Sequence, residues 1–266
     1  MFRARKAVLA LVVVSAVAVA AVAGGSASPQ QANTVTIGWA YDGSGAMAPY
    51  DGPALATARG YLKQVNRGSG VNLRITTCDT QGNKPATAKA CAAKLLGQGA
   101  DVIFTTCDVD FAAPVVQESI NAGKLTIAPC IGTDQMGPKR FGAKGRLAFS
   151  FGNAAQDEGS AMAEYAWRRG WRDAALATDT VIVYFRNVVQ AFEARWRQLG
   201  GNIVAEETYQ SLGGNPASFQ NVVTRLNRTE ADVIVTSTAP PFGAQVSIMN
   251  GLRTLGNNTP ILNSWA

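Results

Sequence analysis

The sequence contains no histidine. Ser-His-Asp and Cys-His catalytic arrangements are therefore excluded, along with every zinc site that needs imidazole. Charge is sparse, with Asp, Glu, Lys and Arg making up 16% of the chain. Beyond the first six residues the only basic pairs are Lys139-Arg140 and Arg168-Arg169, so nothing points to nucleic acid. The four cysteines form no C-x-x-C, which leaves metal and redox motifs unsupported. No G-x-S-x-G occurs. The stretch Gly43-Ser44-Gly45-Ala46-Met47-Ala48 lacks the third glycine of a dinucleotide fingerprint. We expect no metal, no cofactor and no enzyme.

What the chain does have begins at its amino end. Arg3, Arg5 and Lys6 precede an apolar run, Ala7 to Ala23. Small residues follow at Ala21-Val22-Ala23 and Ser26-Ala27-Ser28. This order reads as a removable secretory signal over residues 1–28. The run is about 17 residues, shorter than the roughly 20 that a spanning helix needs. No cysteine lies near the cleavage region to take a lipid. The expected location is periplasmic or secreted. The leader holds three of the 24 basic residues and no acids, leaving 21 against 18.

Beyond the leader, short β-rich runs alternate with helical patterns. Strands are expected at 34–41, 71–77, 101–106, 125–128 and 147–151, with helices over 53–65, 86–98 and 112–122. The pattern then restarts. Helices are expected over 158–169, 183–199 and 244–255, and another starts at Asn215-Pro216, where an amide cap precedes a proline. Strands fall at 174–178, 202–206, 232–236 and 260–262. In the helix 183–199, Tyr184, Val188, Phe192, Trp196 and Leu199 share one stripe, and Gly200-Gly201 ends it. This rhythm predicts an α/β fold: two lobes of parallel sheet flanked by helices. A break near 152–156 divides a lobe over 29–153 from one over 154–266. ADVIFTT at 100–106 echoes ADVIVTS at 231–237, which shared architecture explains. Trp265-Ala266 directly follows a strand with no covering helix, so the second lobe is expected to be truncated.

The segments VTIGWAYDGSGAMAPYDGPALATARGYLKQVN, ITTCDTQGNKPATAKACAAKLLGQGADVIFTT, LTIAPCIGTD, LGGNIVAEETYQ and FQNVVTRLNRTEADVIVTS occur in that order. Together they resemble the type I periplasmic solute-binding proteins of ABC importers, of the branched-chain amino-acid type. The resemblance implies two Rossmann-like lobes closing by a hinge on a small organic solute, a membrane permease as partner, and a monomer. A solute-sensing subunit of the same fold and a non-functional fragment are the alternatives.

The resemblance also implies site residues. Tyr50 stands at a position of a cleft-mouth tyrosine, or is a packing residue. Asp108, with Asp110 close behind, stands where the family often has a head-group serine. A carboxylate there favours an ammonium, hydroxyl or amide donor over a ligand carboxylate; alternatively it caps the helix that follows. Cys130 matches a backbone-carbonyl position, and Thr133 lies one place beyond the usual hydroxyl. Tyr184 falls near a tyrosine that covers the ligand, or belongs to its helix stripe. Phe242 lies in a loop that often carries an aromatic contact. Trp265 falls where amino-acid binders hold an acid. An even number of cysteines in an exported chain implies two disulfides, with three pairings possible. Local pairing, Cys78–Cys91 and Cys107–Cys130, is the first expectation, each stabilising by about 2–4 kcal/mol. Relatives suggest Cys78–Cys107 as the alternative.

Overall fold

The computed structural model describes residues 33–264 except 69, 131, 153, 214 and 215. The expected leader, the capping Asn215 and Trp265 lie outside the described residues. Alternating β-branched and polar residues build β1 (Asn33–Tyr41) and β2 (Val71–Asp79). Shorter apolar runs make β3 (Val102–Phe104), β4 (Leu125–Ala128) and β5 (Ala148–Ser150). These strands are all parallel, in the order β2-β1-β3-β4-β5, with Ile37 of β1 opposite both Ile75 and Val102. A second parallel sheet orders β7 (Asn202–Tyr209), β6 (Asp173–Asp179), β8 (Val233–Ser237) and β9 (Ile261–Ser264). The echoed segments become β3 and β8, each the neighbour of the first strand of its sheet. Their aspartates also act alike. Asp101 accepts the Thr36 N–H at 2.8 Å, and Asp232 accepts those of Arg172 and Asp173 at 2.7 and 3.0 Å.

Helices α1 (Ala48–Val65), α2 (Pro85–Gly97), α3 (Val109–Asn121) and the single turn α4 (Pro138–Phe141) belong to the first lobe. Helices α5 (Ala155–Arg168), α6 (Val183–Leu199), α7 (Pro216–Leu226) and α8 (Ala244–Thr254) belong to the second. Helix α1 starts five residues before the expected Pro53. Pro53 is thus inside the helix, where it removes one hydrogen bond. Of the expected α1 stripe, Leu55 is buried, while Ala58, Leu62 and Val65 are half-buried. These three, with Ile37, Trp39 and Phe104, line an apolar recess of about 400 Å³.

The core of the second lobe is built by α6. Its buried stripe comprises Tyr184, Phe185, Val188, Val189, Phe192 and Trp196. Trp196 stacks on Phe192 at 5.4 Å and donates its indole N–H to the Asn202 carbonyl at 2.9 Å. The helix stops because Gly200 takes φ 93°, in the left-handed region. A Cβ on Gly201 would lie 2.3 Å from the Trp196 ring. Both glycines are therefore required there.

Helix α5 lies against α6 through Gly159, where a Cβ would fall 2.1 Å from the Val188 carbonyl oxygen. Backbone cannot yield as a side-chain end can. Gly159→Val is therefore expected to lose about 3 kcal/mol by overpacking, read as a lower urea midpoint. Gly52→Ala, in the exposed and open part of α1, is expected to gain about 0.5 kcal/mol from helix propensity. A urea midpoint for Gly159→Val that is unchanged, or no lower than that of Gly52→Ala, would contradict the close helix contact.

Candidate functional site: the facing strand ends of two lobes

In a doubly wound sheet, a crevice opens at the carboxyl ends of strands where the order reverses. Here the reversals lie between β1 and β3, and between β6 and β8. The loops at those four ends carry residues of both lobes into one cluster. Met47, Cys107, Ala155, Ile182, Tyr184, Phe185, Val188 and Ala239 are buried in it. Tyr50, Phe111, Cys130, Val181 and Phe242 pack around them, half-buried.

Aspartates shape the first-lobe side. Asp42, fully buried, accepts the backbone N–H groups of Ser44, Gly45, Met47 and Gly82 at 2.7–3.1 Å, and the Asn83 amide at 3.1 Å. This fixes the loop that carries Met47 into the cluster. Asp51, on the first turn of α1, accepts the Asp42 N–H at 2.7 Å and the Cys107 N–H at 3.1 Å. It thereby ties the end of β1 to the end of β3. Burial pushes the Asp51 carboxyl up to about 6, against the lowering effect of those backbone donors. On the second-lobe side, buried Asp179 accepts from Val181 N, Ser211 N and the Thr238 hydroxyl at 3.1, 3.2 and 2.8 Å.

Five of the six residues expected at the site belong to this cluster or hydrogen-bond across the junction, and the sixth, Asp108, directly follows Cys107 of the cluster. Tyr50 packs against the apolar cluster, and burial raises its phenol. Asp108 is fully buried and caps α3, its Oδ1 accepting from Asp110 N at 2.8 Å and Phe111 N at 3.4 Å. Its Oδ2 is buried without a partner. Burial, then the nearby Asp110 carboxylate, push the Asp108 carboxyl up to about 7. Asp110 reaches the other lobe. One oxygen accepts the Val183 N–H at the start of α6, at 2.6 Å, and the other pairs with Arg140 at 2.6 Å. Thr133 also reaches α6, donating its hydroxyl to Asn187 Oδ1 at 3.1 Å. Tyr184 is buried, and its hydroxyl donates to the Glu158 carboxylate. The geometry thus agrees with its helix stripe.

Cys130 lies against Cys107 at disulfide distance, Cα to Cα 4.9 Å, at the ends of neighbouring β4 and β3. Cys78 is likewise paired with Cys91, at 5.5 Å. The lobes are joined where the Ala155 N–H donates to the Gly132 carbonyl at 2.9 Å. A Cβ on Gly152 would strike the Cys130 carbonyl, 1.7 Å away. Met47, Phe111, Arg140, Phe185 and Asn187 were not singled out from sequence. Met47 and Arg140 lie in irregular or single-turn segments with no periodicity to mark them. The Phe111 and Phe185 rings look like ordinary helix core residues. Among the described residues no group of three metal-ligating side chains comes together. No described helix is long and apolar enough to cross a membrane.

Two parallel-sheet lobes whose switch points meet at one cluster define a two-lobed α/β architecture. The profile of the periplasmic binding proteins matches residues 34–265, and the chain belongs to that family. No curated protein sequence matches it. Among solved structures, the branched-chain amino acid transporter substrate-binding protein LivJ of Streptococcus pneumoniae, in complex with isoleucine, is 21% identical with a TM-score of 0.71. A Rhodopseudomonas palustris BisB5 solute-binding protein of an ABC transporter, in complex with 3,4-dihydroxybenzoic acid, is 16% identical with a TM-score of 0.70. A further R. palustris solute-binding protein, in complex with 4-hydroxybenzoate, is 18% identical with a TM-score of 0.69. They cover 87%, 86% and 87% of this chain, which spans 64%, 61% and 62% of theirs. These relatives are solute-binding proteins, not enzymes. The shared fold is the type I periplasmic binding fold, α/β with parallel sheets flanked by helices.

Proposed function

We propose that this chain is the extracytoplasmic solute-binding component of an ABC importer, exported by its leader at 1–28. Its lobes, 29–153 and 154–266, hold a small organic solute between the facing switch points, and a membrane permease reads the closed form. One observation carries the reading: four strand-end loops converge on an apolar cluster, and next to Cys107 of that cluster Asp108 keeps one carboxylate oxygen, Oδ2, buried and without a partner. Such a site suits a solute with an apolar body and one hydrogen-bond donor. Tyr50, Phe111 and Phe242 would pack on the body, and Asp108 would accept from an ammonium, hydroxyl or amide. Thr133, Tyr184 and the Cys130 carbonyl would border it. The relatives' isoleucine and hydroxybenzoates all carry a carboxylate, which Asp110 beside this oxygen, and Asp108 where it is ionised, disfavour. The solute is therefore of another class.

The test has two parts. Native mass spectrometry of the purified chain is expected to show a co-purified small molecule that is lost from Asp108→Ala. A ligand at 100 times its Kd would stabilise by about 2.7 kcal/mol, roughly 5–10 °C for a chain of this size. Leucine, isoleucine and valine at millimolar concentration are expected to give no such rise. Stabilisation by all three overturns the assigned ligand class, and chemical turnover of a bound compound overturns the binding role itself.

A further inference from the structure

Helix α6 has no side-chain cap of its own, because Ile182 precedes its first turn. The amino end of a 17-residue helix carries partial positive charge, and its first N–H groups have no partner within the helix. The first of these donors, Val183 N–H, goes to Asp110 of the opposite lobe at 2.6 Å. The second Asp110 oxygen takes the Arg140 guanidinium at 2.6 Å. The Asp110 carboxylate thus lies between a guanidinium and a helix amino terminus. That pair of donors is suited to holding a carboxylate from outside. Both side chains remain partly open to solvent, 29% for Arg140 and 26% for Asp110, so a solute could reach the position. Two residues away, Asp108 is fully buried and adds a second acid to the same wall.

We propose that Asp110 determines specificity by filling, with its own carboxylate, a seat built from Arg140 and the amino terminus of α6. The seat is then closed to solutes that carry a carboxylate. The same contact joins the lobes without help from a ligand. This rests on the solute-binding reading above and deepens it: the ligand is neutral or cationic, and Asp110 is the side chain that contributes most to that choice, with Asp108 beside it. Asp110→Ala empties the seat while leaving Arg140 and Val183 N–H in place. Asp110→Asn removes the charge but still fills the space.

The experiment is a calorimetric titration of benzoate and of its neutral isostere benzamide into the full exported chain and its variants. A hydrogen bond to a charged group contributes about 1.5–3 kcal/mol, or roughly 10–100-fold in affinity. Asp110→Ala is expected to bind benzoate at least about 10-fold more tightly than the parent chain does. Benzamide should change by less than about 3-fold between the same two proteins, since it brings no charge to the emptied seat. Asp110→Asn is expected to fall between them. Arg140→Gln in the Asp110→Ala background should cancel the gain. Circular dichroism of each variant establishes that it is folded. The proposal is overturned if the parent chain binds benzoate as tightly as Asp110→Ala, or if neither folded variant gains affinity for it. Failure here shows in the titrations, whereas failure of the solute-binding reading shows in the mass spectrum of the parent chain.

Discussion

Raising the pH from 5 to 8 is expected to destabilise the protein, with most of the loss traceable to Asp108 and Asp51. Burial raises the first to about 7 and the second to about 6 in the folded chain. In the unfolded chain both ionise near an ordinary aspartate value of about 3.9. The unfolded state therefore releases these protons first as pH rises. The stabilising contribution is fully present below about pH 4 and is lost on passing through 6 and 7. The full contributions are about 4 kcal/mol for Asp108 and about 3 kcal/mol for Asp51, of which about 2.5 and about 1.5 kcal/mol are lost between pH 5 and 8. Acids that act in the opposite sense do so lower on the scale. Glu164 is lowered by its bond to Arg195, and Asp232 by backbone donors from Arg172 and Asp173. Their contribution is lost only as pH falls through their depressed values. Urea midpoints at pH 5 and 8, with disulfides intact, check the sign. Asp108→Asn is expected to remove more than half of the decline. A midpoint that rises from pH 5 to 8 would show that these two carboxyls are not held protonated in the fold.

The second large effect is expected from Asp42→Ala. This carboxylate collects four backbone N–H groups and one amide. Each buried donor left without an acceptor costs about 1–3 kcal/mol. At least the Met47 N–H and the Asn83 amide lie at buried positions. The expected loss is about 3–5 kcal/mol, or roughly 10 °C in melting temperature. Asp79 offers the comparison. Among the described residues its carboxylate accepts from Gly43 and Gln81, both in exposed bonds at 3.0 and 2.8 Å, and Asp79→Ala is expected to cost under about 1 kcal/mol. Because the Asp42 loop delivers Met47 to the junction, Asp42→Ala should also speed amide exchange at Met47. Equal losses at the two positions would mean that Asp42 does not organise this loop.

The pattern of elements was legible because periodicity acts locally. Helix α6 ran from Val183 to Leu199 as its stripe and its Gly200-Gly201 stop required. The strand 125–128 and the order of the remaining elements followed from short β-branched runs. Boundaries slipped where tertiary contacts extend an element. Asp51, bonded to the ends of β1 and β3, holds α1 helical upstream of Pro53. The single turn α4 had no periodic signal, although it supplies Arg140. At the site, Asp108 could be marked as either a cap or a ligand group. The structure puts one oxygen to each use: Oδ1 caps α3, and Oδ2 is left buried and unpartnered.

Sequence alone determined the α/β class, the strand and helix order, the lack of histidine chemistry, and the family resemblance, because composition and periodicity are properties of neighbouring residues. Tertiary structure decided which chain-distant groups share a bond. Asp110 meets Val183 across 73 residues, and Thr133 meets Asn187 across 54. Neither pairing leaves a trace in local spacing, since each exists only where the carboxyl ends of two separate sheets are brought face to face.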